Sequence, residues 1–121
     1  MPWTYSQSTG QLTRNGRVAG TGYSGNGAGR NNGSMQGTRG SGPIPQGTYV
    51  IGAPFHHHHA GDFTMRLTPQ NGTMTFGRDG FMMHGDSVRH PGEASEGCII
   101  QNHTVRRQVW SSGDHTLRVV P

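Results

Sequence analysis

The chain contains no lysine and a single cysteine, Cys98. A lone thiol cannot close an intrachain disulfide or build a cysteine zinc site, so neither device stabilises the fold. Apolar residues are also scarce. Only 29% of the 121 residues are hydrophobic, which limits the chain to one modest core and one domain over residues 1–121. No apolar run approaches the length that spans a bilayer, and membrane insertion is not expected. The opening "MPWTYSQSTG" has neither a basic stretch nor an apolar one, so it does not read as an export signal. Acidic side chains are few, 6 against 10 basic ones, and every basic one is arginine. An all-arginine set suits a carboxylate-bearing or otherwise anionic partner. The arginines are dispersed, with only Arg106 and Arg107 adjoining. They lack the dense, aromatic-interleaved stripe of a nucleic-acid surface, and no nucleic-acid partner is expected.

Glycine is abundant instead, with 21 residues and no collagen-like period, which suggests many turns between short strands. Asn15-Gly16, flanked by "QLTR" and "RVAG", is a two-residue hairpin signal, because both turn positions need positive φ. "GTYVIG" has the β-branched and aromatic content of a strand. "FTMRLTP" alternates Phe63, Met65 and Leu67 with polar residues, the period of a half-buried strand. "TMTFGRDG" reads as a short strand and turn, "GCII" as a buried strand, and "HTLRVV" as a closing strand. "FMMH" stops at Gly85, which puts His84 at a strand end. One helix is predicted over 102–112, capped by Asn102, with Val105 and Val109 on one face and Gly113 as its stop. Residues 24–42 have the composition of a flexible linker or, in a domain this small, of a loop draped over a site. The expected fold is mainly β, a sandwich or barrel-like pair of sheets with one short peripheral helix.

His56–His59 invite a metal reading. Successive strand residues point to opposite faces, so four in a row cannot converge on one ion. A solvated loop without a metal site is expected there, and His90, His103 and His115 are expected at the surface.

The chemistry concentrates in "FMMHGDSVRHPGEASEGCII", residues 81–100. Cys98 is either a small buried hydrophobe or a nucleophile. Gly97 permits close approach at the turn, where backbone N–H groups can hold an oxyanion. His84 can take the thiol proton, with a carbonyl near Gly85 or the carboxylate of Asp86 orienting the ring.

This segment resembles the active site of YkuD-type L,D-transpeptidases. The matching residues are His84 and Gly85 at a strand end, then Ser95, Gly97, Cys98 and Ile99 after a variable loop. "GYSGNGAGRNN", "GPIPQGTYVIG", "FTMRLTP", "GRDGFMMHGD" and "ASEGCII" together are similar to a narrower group of small, signal-less bacterial proteins. That group includes type VI secretion effectors with L,D-transpeptidase and L,D-carboxypeptidase activity. The resemblance implies a Cys98 thiolate and a His84 imidazolium acting on peptidoglycan stem peptides, with the N–H groups of Gly97 and Cys98 as oxyanion donors. It implies no metal and no organic cofactor, a cognate immunity protein, a carrier in the secretion apparatus, and action in the target-cell periplasm. Two positions depart from the broad family, which has histidine before the Gly-Cys and arginine two residues after the cysteine. Glu96 and Ile100 stand there, so Arg89 and Arg66 become the candidates for binding a substrate carboxylate.

Two other readings remain open at the level of the sequence. A papain-like amidase would usually carry its cysteine ahead of its histidine and on a helix. A non-catalytic wall- or glycan-binding module would use Cys98 only for packing.

Overall fold

Short, β-rich segments separated by glycine turns produce ten strands and one α-helix in a computed structural model that describes residues 2–121; Met1, the first residue of the expected domain, lies outside them. The strands are β1 (Trp3–Ser6), β2 (Gln11–Arg14), β3 (Arg17–Thr21), β4 (Tyr23–Ser24), β5 (Gly47–Ile51), β6 (Phe55–His57), β7 (Gly61–Pro69), β8 (Met82–His84), β9 (Ile99–Ile100) and β10 (Thr116–Val120). The helix α1 spans His103–Ser111. The expectation of a mainly β domain with one short helix holds.

Hydrogen bonding runs in the order β3-β2-β1-β10-β5-β7-β8-β9-β4, with β6 pairing β7 off that path. The long β7 joins two regions. Its C-terminal part pairs with β5 through Ile51 and Leu67, and its middle pairs with β8 through Met65 and Met83. Most neighbours are antiparallel, but β1 pairs β10 in parallel and β8 pairs β9 in parallel. The path curls on itself, because Leu12 from β2 and Ile99 from β9 belong to one buried apolar cluster with Trp3, Tyr49 and Leu117.

The hairpin forms as expected. Arg14 pairs with Arg17, and Asn15 and Gly16 take φ of 54° and 75°. The helix also forms, with the Asn102 side chain accepting from the Val105 amide at 2.8 Å and Gly113 beyond the end at φ 74°. Val105 and Val109 reach the core, each burial contributing on the order of 1.5–3 kcal/mol.

Two expectations need correction, and a third choice is settled. "TMTF" is not a strand. Both neighbouring positions on β7 are taken by β5 and β8, and Thr73 instead exchanges two hydrogen bonds with the backbone of Thr48. The alternation along "FTMRLTP" breaks at Thr64, which is fully buried, because Phe63 turns through φ 53° and shifts the facing. Of the two readings of residues 24–42, the ordered loop forms and the flexible linker does not. They hold two 3-10 turns, Gly27–Gly29 and Gly33–Met35, and the Asn26 amide bonds the Ser41 carbonyl at 2.9 Å. The glycines here serve close backbone approach: a Cβ on Gly42 would lie 1.8 Å from the Met35 carbonyl oxygen.

Gly22 is the sharpest case of such approach, since a Cβ there would fall 1.6 Å from the Ile100 carbonyl oxygen. Gly22→Ala is expected to cost roughly 3 kcal/mol or more. Gly113→Ala, strained only by its positive φ with open space around it, is expected to cost about 1–2 kcal/mol. Urea denaturation of the two variants measures both, and equal costs would contradict the close packing at Gly22.

Candidate active site

The site rests on the β8–β9 pair. Met83 lies opposite Ile99 and His84 opposite Ile100, in parallel. Cys98, just ahead of Ile99, therefore falls beside Met82, and His84 follows two residues on. Side chains two apart on a strand share a face, and Cys98 and His84 both line one cleft of ≈ 550 Å³. His57, His59, Arg39, Arg78, Glu93 and Glu96 also line it. The Cys98 sulfur lies 3.8 Å from the Gly80 carbonyl oxygen.

His84 is buried, and its Nδ1 is 2.8 Å from the Gly85 carbonyl oxygen. A carbonyl only accepts, so Nδ1 carries the proton and Nε2 keeps the lone pair that a base needs. Of the two orienting groups expected from the sequence, the Gly85 carbonyl is the one that meets the ring. Asp86 has other partners: its carboxylate accepts from the Tyr23 hydroxyl at 2.6 Å, the Ser87 amide at 2.8 Å and the Gly92 amide at 3.1 Å. The Tyr23 hydroxyl in turn accepts from the Ala94 amide at 2.9 Å, and Arg30 lies over the Tyr23 ring at 4.3 Å. Asp86 thus pins the loop between His84 and Cys98. Partial burial pushes its carboxyl up, but donation from Tyr23, Gly92 and Ser87 outweighs this and holds it below the ordinary carboxylate range.

Ser95 shapes the turn before the cysteine. Its fully buried hydroxyl donates to the Cys98 carbonyl at 2.6 Å and accepts from the Gly25 amide at 2.9 Å and the Gly97 amide at 3.1 Å. The Gly97 N–H is therefore engaged, which departs from its expected role as an oxyanion donor; the Cys98 N–H is the candidate that stays. Gly97 is required for two reasons. Its φ is 136°, and a Cβ would lie 2.5 Å from an Arg78 guanidinium nitrogen.

Arg78 is the residue that sequence reasoning passed over. It is 6% exposed and donates to the carbonyls of Gln36, Pro43, Gly42 and Glu96 at 2.5, 2.8, 3.0 and 3.1 Å. It ties the glycine-rich loop to the turn before Cys98 and brings a cation near the thiol. Nothing in the scattered arginine pattern distinguished it, because its partners are main-chain carbonyls from distant segments. Of the two arginines expected to bind substrate, Arg89 lines a neighbouring depression that His84 also borders, and Arg66 lies over the Phe55 ring at 4.9 Å and is not among the cleft-lining residues. His57 and His59 of the largely exposed histidine run line the cleft. His57 Nδ1 accepts from the amides of His59 and Ala60 at 3.1 and 3.0 Å, which closes a turn. Among the described residues, no group of three histidine, cysteine or acidic side chains is set to hold a metal ion.

Burial governs the protonation of the pair. It pushes the Cys98 thiol up to about 11, with Glu96 adding to the rise and the Met82 backbone and Arg78 opposing it. Burial lowers His84 below the ordinary imidazole range; its bond to Gly85 opposes this, and Arg106 and His57 add to the lowering. Both shifts favour the neutral thiol and neutral imidazole over the thiolate and imidazolium that the family resemblance implies. The arrangement suits proton transfer during attack rather than a standing thiolate.

Alkylation of Cys98 by iodoacetamide is accordingly expected to be slow at neutral pH and to climb towards a midpoint of about 11, as followed by mass spectrometry. A midpoint well below that of an ordinary thiol would contradict the neutral pair. Ser95→Ala leaves the Gly25 and Gly97 amides without their buried acceptor and is expected to cost roughly 2–4 kcal/mol in urea denaturation.

No curated protein matches the chain. No helix among the described residues is long and apolar enough to cross a membrane. The Tlde1 domain model matches residues 19–120, a span that takes in the whole cleft, the glycine-rich loop, α1 and β10. The chain belongs to the Tlde1 domain family and, with it, to the type VI secretion effectors.

Proposed function

We propose that the chain is a cysteine-dependent L,D-carboxypeptidase and L,D-transpeptidase that acts on peptidoglycan tetrapeptide stems as an antibacterial toxin. The observation that carries this reading is the shared cleft of Cys98 and His84, with His84 Nδ1 tied to the Gly85 carbonyl and Nε2 left as the base. As substrate binds, Nε2 takes the thiol proton while the sulfur attacks the carbonyl carbon of the third stem residue, diaminopimelate. The Cys98 N–H donates to the oxyanion, and the Arg78 cation adds a favourable field. Collapse breaks the bond to the terminal D-alanine, and His84 gives its proton to the departing amine. The thioester then passes its acyl group to water, leaving a tripeptide, or to the amine of a free D-amino acid, giving exchange. No step calls for a metal.

A carboxylate-bearing stem suits a cleft that carries Arg39, Arg78 and histidines on its walls. The site of action in this reading is the target-cell periplasm. A toxin of this kind needs an immunity protein in its producer and a carrier in the secretion machine.

Cys98→Ala is expected to abolish turnover of tetrapeptide muropeptides while keeping the fold, since a small apolar side chain replaces a half-buried thiol. Mass analysis of products, with and without D-methionine, reads both hydrolysis and exchange. Retained turnover would remove the nucleophile. Pentapeptide stems are expected to react roughly a hundredfold more slowly than tetrapeptides. Arg39 and Gly40 from the glycine-rich loop form part of the cleft wall, and a fifth residue has to fit past the leaving group beside them. Equal turnover would count against the L,D assignment.

A further inference from the structure

Arg106 sits on α1, facing inward, and is 5% exposed. Its Nε and Nη1 are buried without a hydrogen-bond partner. No charged group among the described residues acts on it strongly enough to offset burial, which pulls its affinity for a proton down. An aliphatic residue would pack such a position at lower cost, since a buried cation without a counterion is strongly unfavourable. The guanidinium lies against Gly85: a Cβ on that residue would sit 3.0 Å from Nη1 and 3.1 Å from Nη2. Gly85 is the residue whose carbonyl anchors the His84 ring. The other charged or titratable groups around His84 are His57 from β6, His59 in the turn after it, Asp86, Arg89, His90 and Glu93 from the following loop, and Cys98 ahead of β9. The Gly85 carbonyl and Asp86 favour a charged imidazole, and the Asp86 carboxylate is occupied by Tyr23, Ser87 and Gly92.

We propose that Arg106 is a positioning residue for His84: held behind Gly85 with Nε and Nη1 unpaired, its guanidinium disfavours charge on the imidazole, so that His84 waits as a base and, once charged, passes its proton on to the leaving amine. The glycine after the histidine follows from this, because a side chain at position 85 would occupy the space of the guanidinium. The clause on the leaving amine rests on the L,D reading above; the effect on the imidazole does not.

The test is a proton NMR titration of His84, its signal identified by comparison with His84→Gln, in the wild-type chain and in Arg106→Lys, Arg106→Gln and Gly85→Ala. In the wild type the midpoint is expected below the unperturbed value of about 6.5. Arg106→Gln is expected to raise it by on the order of one pH unit, and Arg106→Lys, which keeps the charge, to leave it near the wild-type value. The acid limb of kcat/KM on tetrapeptide muropeptides is expected to move up with the midpoint in Arg106→Gln. Should that variant not fold, Gly85→Ala, whose methyl group pushes the guanidinium aside, supplies the same comparison. A wild-type midpoint at or above about 6.5 overturns the proposal, and so does an unchanged midpoint in whichever variant folds. The titration uses no substrate, so a shifted midpoint in a chain that turns over no muropeptide would reject the L,D reading and leave the role of Arg106 standing.

Discussion

The parallel pairing of β8 with β9 is the constraint on which the site depends. Two parallel strands cannot be joined by a tight turn, and their connection must cross over through a dozen or more residues. Here residues 85–98 make that crossing without a helix. The register, His84 opposite Ile100, sets histidine and cysteine along one face of adjacent strands. A shift of one residue would turn one of the two to the opposite face and separate the pair.

A crossing loop with no regular structure of its own has to be held in shape from outside. Asp86 holds its first part through Tyr23, Ser87 and Gly92. Ser95 holds its last part by linking Gly25, Gly97 and Cys98. Arg78 then ties that last part to the glycine-rich loop through four carbonyls. The fixed shape of the candidate site therefore comes from side chains bonded to backbone, which fixes the chain path more directly than side-chain packing does in so small a core. The glycines make the same arrangement possible, since Gly97 and Gly42 occupy places where any Cβ would strike a guanidinium or a carbonyl.

The cost of this construction is buried charge. Arg78 offsets its burial with four acceptors and a place near the Phe81 ring, at 5.6 Å. Arg106 has no such compensation at Nε and Nη1. Low-dielectric surroundings also disfavour the ionised forms of Cys98 and His84.

Local signals carried much of the fold. Asn15-Gly16 determined the first hairpin, because only turn residues tolerant of positive φ join strands that closely. Asn102, the Val105/Val109 spacing and Gly113 determined the helix. The His84-Gly85 and Ser95-x-Gly97-Cys98 blocks marked the candidate site through their resemblance to the YkuD-type segment. What the sequence could not determine is everything that depends on which distant backbone comes near. "TMTF" has strand composition but finds no free edge on β7. Residues 24–42 have linker composition, yet their glycines admit backbone against backbone. Arg78 and Arg106 look like any other arginines until the fold buries one among carbonyls and the other behind Gly85. The choice of the Gly85 carbonyl over the Asp86 carboxylate as partner of His84 was decided the same way: Tyr23, far away in the chain, takes Asp86 for itself. Composition and spacing encode local backbone preference, whereas burial and partner choice depend on tertiary proximity, which no local pattern records.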